Sequence, residues 1–288
     1  MPEGDTIFRS ARTLQRAIGG QVVMGFESVL PKLTRVDFDS GVVGRTIEKV
    51  ESQGKWLLMH FSGDLILLTH MLMSGSWHIY RPGEEWQRRP IDMRVVVKTE
   101  KIWVVAFNVP IAEFHTADTL RRREGFRKLG QDLLGAEFDP AKSVVSLRAN
   151  GDLEVGVALL WQSIVAGIGN VFKSEVCFAC RVNPFRRVST LSPDELNCLM
   201  TTARKFLLMN VRETSGDQMV TVPGMRRTTV NVDPSERLWV YGRRGEPCRR
   251  CGTAIESYKQ GIEARTTFWC PQCQPMPAGV TLRNAASP

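Results

Sequence analysis

The chain contains no apolar run approaching the roughly 18 consecutive residues of a membrane-spanning helix, so no helical span is expected. Its first twenty residues lack the basic, apolar and then small-residue layout of a secretory signal, which makes the cytoplasm the expected compartment. No internal repeat is present, which argues against a solenoid, and no low-complexity tract occurs. What remains is a 288-residue chain with 43% hydrophobic and 24% charged residues, the proportions of a globular protein with room for about two domains. The formal net charge of +8 points weakly toward polyanionic partners, but its placement says more. Between positions 181 and 250 there are 13 Lys and Arg against 7 Asp and Glu, a surplus that holds most of the whole-chain excess. A surface that neutralises phosphates needs charge gathered in this way.

Residues 5–18 read as a helix, because Ile7, Ala11, Leu14 and Ile18 recur at helical spacing and Gly19-Gly20 supplies a stop. Short runs rich in Val, Ile, Leu and Trp follow at 21–26, 46–51, 56–61, 65–69, 77–80, 93–98 and 102–107, separated by turn residues. Many short strands at close intervals predict a β-sandwich or barrel. After about 129–130 helical patterns replace strands. One helix start is marked by Ser192-Pro193-Asp194-Glu195, a capping-box serine with proline at the first helical position and glutamate three residues on. Residues 214–237, with Gly216, Pro223, Gly224 and Pro234, read as a long loop, and the small, polar residues after 274 as a fraying tail.

Seven cysteines is an odd number, and four of them form Cys248-x2-Cys251-x18-Cys270-x2-Cys273. Two tight turns of this kind present four thiolates to one tetrahedral Zn²⁺. The alternative, four reduced core cysteines, fits poorly with the turn residues Arg249, Arg250, Gly252, Pro271 and Gln272 around them. Four thiolates leave no open position for water, so such an ion is structural. Cys177 and Cys180 lie in an apolar helical stretch and read as buried thiols, and Cys198 reads as core.

Two further segments carry an ambiguous signal. The glycine-punctuated stretch Gly167-Ile168-Gly169-Asn170 allows close approach of a phosphate to backbone N–H groups, yet a plain connection between helices explains it equally well. At the start, Pro2 becomes a secondary amine once Met1 is removed, and an α-amino group titrates near 7.7 to 8.0, so part of it is an unprotonated nucleophile at neutral pH. Glu3 is then placed to move protons. Proline at position 2 is also common, and an acid near a helix start also complements the dipole. On these residues alone the plainer reading is favoured.

Taken together, Pro2-Glu3-Gly4, Gln53-Gly54-Lys55, the segment from His70 to Gly75, Gly167-Ile168-Gly169-Asn170, the segment from Tyr241 to Cys248 and the segment from Arg265 to Cys270 resemble, in their order along the chain, the formamidopyrimidine-DNA glycosylase/endonuclease VIII family. The resemblance implies an α+β multidomain protein. It places a catalytic β-sandwich with an N-terminal helix at 1–130, a helical helix-two-turn-helix DNA-binding domain at 131–237, a zinc-finger β-hairpin at 238–274 and a flexible tail at 275–288. It further implies a bifunctional glycosylase/AP lyase acting on damaged DNA as a monomer, without a membrane partner, associated with the nucleoid of a bacterial cell. Pro2 is then the Schiff-base nucleophile and Glu3 the acid/base. Lys55 holds a phosphate or moves protons, Asn170 and Arg265 grip phosphates at the lesion, and Arg265 also serves δ-elimination. Met73 fills the gap left by a flipped nucleotide, and Lys128 matches a DNA-contacting arginine more loosely.

The chain departs from the family pattern at Thr6, where members usually carry a glutamate, and Asp5 next door is one position off on the helix. Where the purine-excising branch has an Arg-Arg-Phe wedge, this chain reads Asn108-Val109-Pro110-Ile111-Ala112-Glu113, which favours the endonuclease VIII branch and oxidised pyrimidines. The void-filling triplet of that branch is partly kept as Leu72-Met73-Ser74. Two alternatives stand beside this reading: an oxidised-purine glycosylase of the same family, and a damaged-DNA-binding protein without catalysis. The base pocket is expected to draw on residues 214–227.

Overall fold

The computed structural model describes residues 2–211, 226–231 and 233–276. Met1, positions 214–225 of the expected base-pocket loop and positions 277–288 of the expected tail lie outside the described residues. The described chain divides into two compact units, the first ending at Lys128 and the second beginning at Leu129.

The first unit opens with α1 (Gly4–Ile18), whose Ile7, Ala11, Leu14 and Ile18 form one buried stripe. Strand β1 (Gly25–Ser28), helix α2 (Pro31–Ser40) and strands β2 (Ile47–Gln53), β3 (Trp56–Phe61), β4 (Leu65–His70), β5 (Ser76–Tyr80), β6 (Met93–Lys98), β7 (Trp103–Phe107) and β8 (Ile111–His115) follow, then short helices α3 (Ala117–Arg122) and α4 (Glu124–Arg127). The strands form two four-stranded antiparallel sheets, β1-β6-β7-β5 and β2-β3-β4-β8. Strand alternation puts Leu57, Met59, Phe61 and Leu67 of one sheet and Trp77, Val95, Val97 and Val104 of the other into a single core that also takes the α1 stripe. Truncating a side chain such as Trp77 there costs about 3–5 kcal/mol. The opposite face of the β5-β6-β7 sheet buries Tyr80, Val96, Val105 and Phe107 beneath Trp86 and Met93. This is the expected sandwich.

Several elements of this unit differ from expectation, the short helices α3 and α4 among them. The strand foreseen at 21–26 starts only at Gly25, and Val22 makes an isolated bridge to Thr46. Helix α2 was not foreseen, since it is charged and buries only Leu33. Strand β8 was also unforeseen, and it pairs with β4 from Ile66 opposite His115 to His70 opposite Ile111.

In the second unit, β9 (Gln131–Asp132) pairs in parallel with β10 (Val165–Ala166), and α5 (Pro140–Arg148), α6 (Val155–Ala158), α7 (Asn170–Ala179) and α8 (Pro193–Val211) make the helical body. The foreseen capping box forms: Glu195 N–H donates to Ser192 Oγ at 3.1 Å, and Ser192 N–H donates to the Glu195 carboxylate at 2.8 Å. A hairpin of β11 (Glu256–Gln260) and β12 (Arg265–Trp269) completes the unit. The cysteine expectation needs correction. Cys177 is a fully buried thiol, its pKa pushed up to about 12 by burial. Cys180 and Cys198, however, form a disulfide, because the end of α7 brings Cys180 beside α8 with the two Cα atoms 5.9 Å apart, and neither is fully buried. Among the described residues, no helix is long and apolar enough to cross a membrane.

Candidate functional site

In the first unit the candidate residues gather at the start of α1 and at one end of the β2-β3-β4-β8 sheet. Pro2 is half-buried, and Glu3 is fully buried at the N-cap of α1, where its carbonyl accepts from the Thr6 and Ile7 N–H groups. The Glu3 side chain makes no capping hydrogen bond, so helix capping does not account for its burial. Asp5 is also fully buried, and the Thr6 hydroxyl donates to its carboxylate at 3.3 Å. Asp5 is thus a second buried carboxylate on the first turn of α1, one residue before Thr6.

Lys55 stands in a two-residue turn closing the β2/β3 hairpin, with Gln53 paired to Trp56. Gly54 occupies the first turn position with φ +59°, a conformation that glycine takes without steric cost. At the far end of β4, the His70 Nδ1 accepts the Leu72 N–H at 3.1 Å, and the Gly75 N–H donates to the Met71 carbonyl at 2.8 Å. A Cβ on Gly75 would lie 2.6 Å from that carbonyl oxygen, so the turn admits only glycine. Leu72 sits at φ +44°, and the tip carries two large apolar side chains in solvent, Leu72 at 44% and Met73 at 61% exposure. Burial, and then the charges of Lys55 and Arg123, push the His70 pKa down to about 4, which keeps the ring neutral and Nδ1 an acceptor. Lys128 is the C-cap residue just after α4, exposed and paired with Glu124 at 2.5 Å.

In the second unit, α7 and β12 are joined position by position. The Asn170 side-chain N–H donates to the Thr266 carbonyl at 2.8 Å, the Lys173 ammonium donates to Thr267 Oγ1 at 2.6 Å, and the Phe268 N–H donates to Ser174 Oγ at 3.3 Å. These bonds place Asn170 beside the strand that Arg265 begins. Arg265 is 38% exposed and pairs with Glu263 at 2.9 Å, an exposed ion pair of small energetic weight that another anion can displace. Glu175 went unnoticed in the sequence, because its four partners are distant in the chain. Fully buried, its carboxylate accepts the Trp239, Val240 and Tyr241 N–H groups at 2.8–2.9 Å and the Thr228 hydroxyl. Burial raises its pKa against the lowering effect of those four bonds.

The turn that Glu175 fixes leads into the cysteine module. The sulfurs of Cys248, Cys251, Cys270 and Cys273 all lie within 4.8 Å of one another, with Cys248 and Cys273 3.9 Å apart and Cys251 and Cys270 3.4 Å apart. Four thiolates about 2.3 Å from one tetrahedral Zn²⁺ are separated by about 3.8 Å, so the donor set and spacing fit zinc. Beneath them, Phe178 stacks on Trp239 at 5.5 Å, and the Arg250 guanidinium lies 4.5 Å from the Phe178 ring.

Three stretches of the chain match known families. Residues 1–110 match the formamidopyrimidine-DNA glycosylase N-terminal domain, residues 129–221 the H2TH domain of the same enzymes, and residues 245–275 the zinc finger found in FPG and IleRS. Over 281 residues the chain is 38% identical to a probable endonuclease 8 2 of Streptomyces coelicolor, covering 96% of this chain and 95% of that one. It is 34% identical over 274 residues to the DNA-(apurinic or apyrimidinic site) lyase Nei2 of Mycolicibacterium smegmatis, with 95% and 99% covered. Among solved structures, Lactococcus lactis Fpg in complex with abasic-site DNA has the same fold, with a TM-score of 0.79 at 22% identity over 96% of this chain and 100% of that one. The chain belongs to the formamidopyrimidine-DNA glycosylase/endonuclease 8 family.

Proposed function

We propose that this DNA N-glycosylase and AP lyase of base-excision repair removes oxidised pyrimidines through a Schiff base on Pro2, followed by β,δ-elimination. The observation that carries the reading is the burial of Glu3 without a capping role, directly after Pro2. In the proposed reaction the Pro2 nitrogen bonds to the sugar C1′ as the glycosidic bond breaks, and Glu3 supplies a proton to the departing base. The sugar ring then opens, the C1′–O4′ bond breaking as O4′ takes up the proton released from the Pro2 nitrogen, and the resulting iminium draws electrons from the sugar and acidifies its C2′ proton. Loss of that proton expels the 3′-phosphate, a second elimination expels the 5′-phosphate, and water hydrolyses the iminium to free Pro2.

Lys55 holds a phosphate or moves a proton in the eliminations. Asn170 and Arg265 hold phosphates beside the lesion, with Arg265 also assisting the second elimination, and Lys128 adds a more distant contact. An amide nitrogen carries two hydrogens and Thr266 takes one from Asn170, which leaves one to donate. Flipping a nucleotide costs a few kcal/mol of stacking, and the exposed Met73 fits the role of wedge in the emptied stack. One Zn²⁺ on Cys248, Cys251, Cys270 and Cys273 serves structure, as four thiolates leave no position for a reacting water.

Pyrimidine preference is supported by the Asn108-to-Glu113 segment in place of an Arg-Arg-Phe wedge and by the endonuclease 8 relatives. Parallel nicking assays on thymine-glycol and 8-oxoguanine duplexes test it. The reading expects faster cleavage of thymine glycol, and a clear preference for 8-oxoguanine overturns it.

A further inference from the structure

Arg123 carried no signal in the sequence, one arginine among five basic residues between positions 121 and 128. In the fold it occupies the junction of α3 and α4, where its N–H donates to the Thr119 and Leu120 carbonyls, so its backbone is held from the helix behind it. Its side chain is not left in solvent with its neighbours. The Nε donates to Glu113 of β8 at 2.6 Å, and the same carboxylate accepts from the His115 ring Nε2 at 3.1 Å. Held in this way, the guanidinium lies 4.3 Å from the centre of the Trp56 ring. Trp56 meets His70 edge-on, 4.7 Å between ring centres and 78° between planes, across the β3/β4 register pair that the two residues form. Four elements of the first unit therefore converge on one imidazole, and that imidazole is the acceptor for the Leu72 N–H.

We infer that Arg123 is a positioning residue: its guanidinium clamps Trp56 against His70, so that the imidazole Nδ1 captures the Leu72 N–H and holds the Leu72–Met73 tip in one conformation. The tip needs such a hold. Leu72 sits in the left-handed region that non-glycine residues avoid, and its side chain and that of Met73 gain little from burial. The hydrogen bond works only while Nδ1 lacks a proton. The charged groups facing the ring are Lys55 from the β2/β3 turn and Arg123 from the α3/α4 junction, both cations, and both oppose protonation. Glu113, the nearby anion, is engaged by Arg123. Loss of Arg123 removes one cation and releases that anion, so protonation of His70 becomes easier and the tip is freed.

This inference rests on the proposed wedge role of Met73 only for its effect on turnover, and the test separates the two. The full-length protein is compared with Arg123→Met, Arg123→Lys and Trp56→Leu, all checked for cooperative melting. Imidazole ¹⁵N shifts follow His70 through pH, hydrogen exchange follows the Leu72 amide, and single-turnover cleavage of a thymine-glycol duplex is read from pH 5 to 8. Arg123→Met is expected to raise the His70 midpoint and to cut Leu72 protection about tenfold. It should also slow cleavage by a factor that grows toward pH 5. Arg123→Lys restores all three, and Trp56→Leu exposes the Leu72 amide with Arg123 still present. An unmoved His70 midpoint in folded Arg123→Met, or a cleavage loss independent of pH, overturns the inference. If the wild-type protein cleaves no lesion, the glycosylase reading fails, and the midpoint and Leu72 exchange still decide the role of Arg123.

Discussion

The side-chain amide of Asn170 donates to the carbonyl oxygen of Thr266 at 2.8 Å, tying the first residue of α7 to the residue after Arg265. The Asn170 Oδ1 is buried and has no hydrogen-bond partner among the described residues, so within them the orientation of the amide is fixed by that one bond. In the proposed reaction Asn170 therefore acts partly through the strand that presents Arg265.

This link separates two kinds of loss. Asn170→Ala should weaken binding to an abasic-site duplex about tenfold, in line with about 1–2 kcal/mol for a lost hydrogen bond. A neutral amide releases no counterion, so the dependence of affinity on salt should keep its slope. Arg265→Ala should reduce that slope by about one. Equal slope changes for the two variants, in binding titrations from 50 to 200 mM salt, would contradict the assignment.

Zinc removal should act on one unit only. The wild-type protein is expected to hold one zinc per chain by elemental analysis, and chelation or Cys270→Ser should abolish it. Hydrogen exchange should then rise across β11 and β12 and the 239–241 turn held by Glu175, while the two sheets of the first unit keep their protection. Unchanged exchange in the hairpin after metal loss would show that the four cysteines do not hold it.

Stability should fall as pH drops from 6.5 to 4. Burial pushes His70 and His78 down to about 4, with Lys55 and Arg123 adding to the first and Arg88 to the second. The unfolded chain takes up protons through that window while the folded one does not, so the folded state is favoured above it and loses ground below it. Glu51, lowered to about 2 chiefly by its bond to His60, adds a second loss as pH falls from 4.5 toward 2. Urea titrations at pH 7.5, 5.5 and 4.5 should show a declining midpoint, and a maximum near pH 5 would rule the scheme out. His78→Gln should flatten part of the decline.

The sequence disclosed those parts of the molecule whose signal is local. The α1 stripe, most strands of the sandwich, the capping box at Ser192 and the paired CxxC turns all announce themselves within a few residues of each other. Strand β8 stayed hidden because Ile111 to His115 mixes apolar and charged side chains and was read as a motif segment. Helix α2 stayed hidden because one buried leucine makes no stripe. The Cys180–Cys198 disulfide depends on how closely α7 and α8 pack, which spacing in the chain does not encode. Glu175 and Arg123 are legible only once their partners, far along the chain, have been folded onto them. The candidate residues Pro2, Glu3, Lys55, Met73, Asn170 and Arg265 were found through the order of short motifs, and the physical reasons for their neighbours came from the fold.

The most direct measurement is borohydride trapping on an abasic duplex, combined with mass spectrometry of the protein's first residues. The account predicts a chain that begins at Pro2, a covalent adduct that maps to Pro2, and trapping that is lost or strongly weakened in Pro2→Gly. Undiminished trapping by Pro2→Gly, or strand cleavage by protein that still carries Met1, would contradict it.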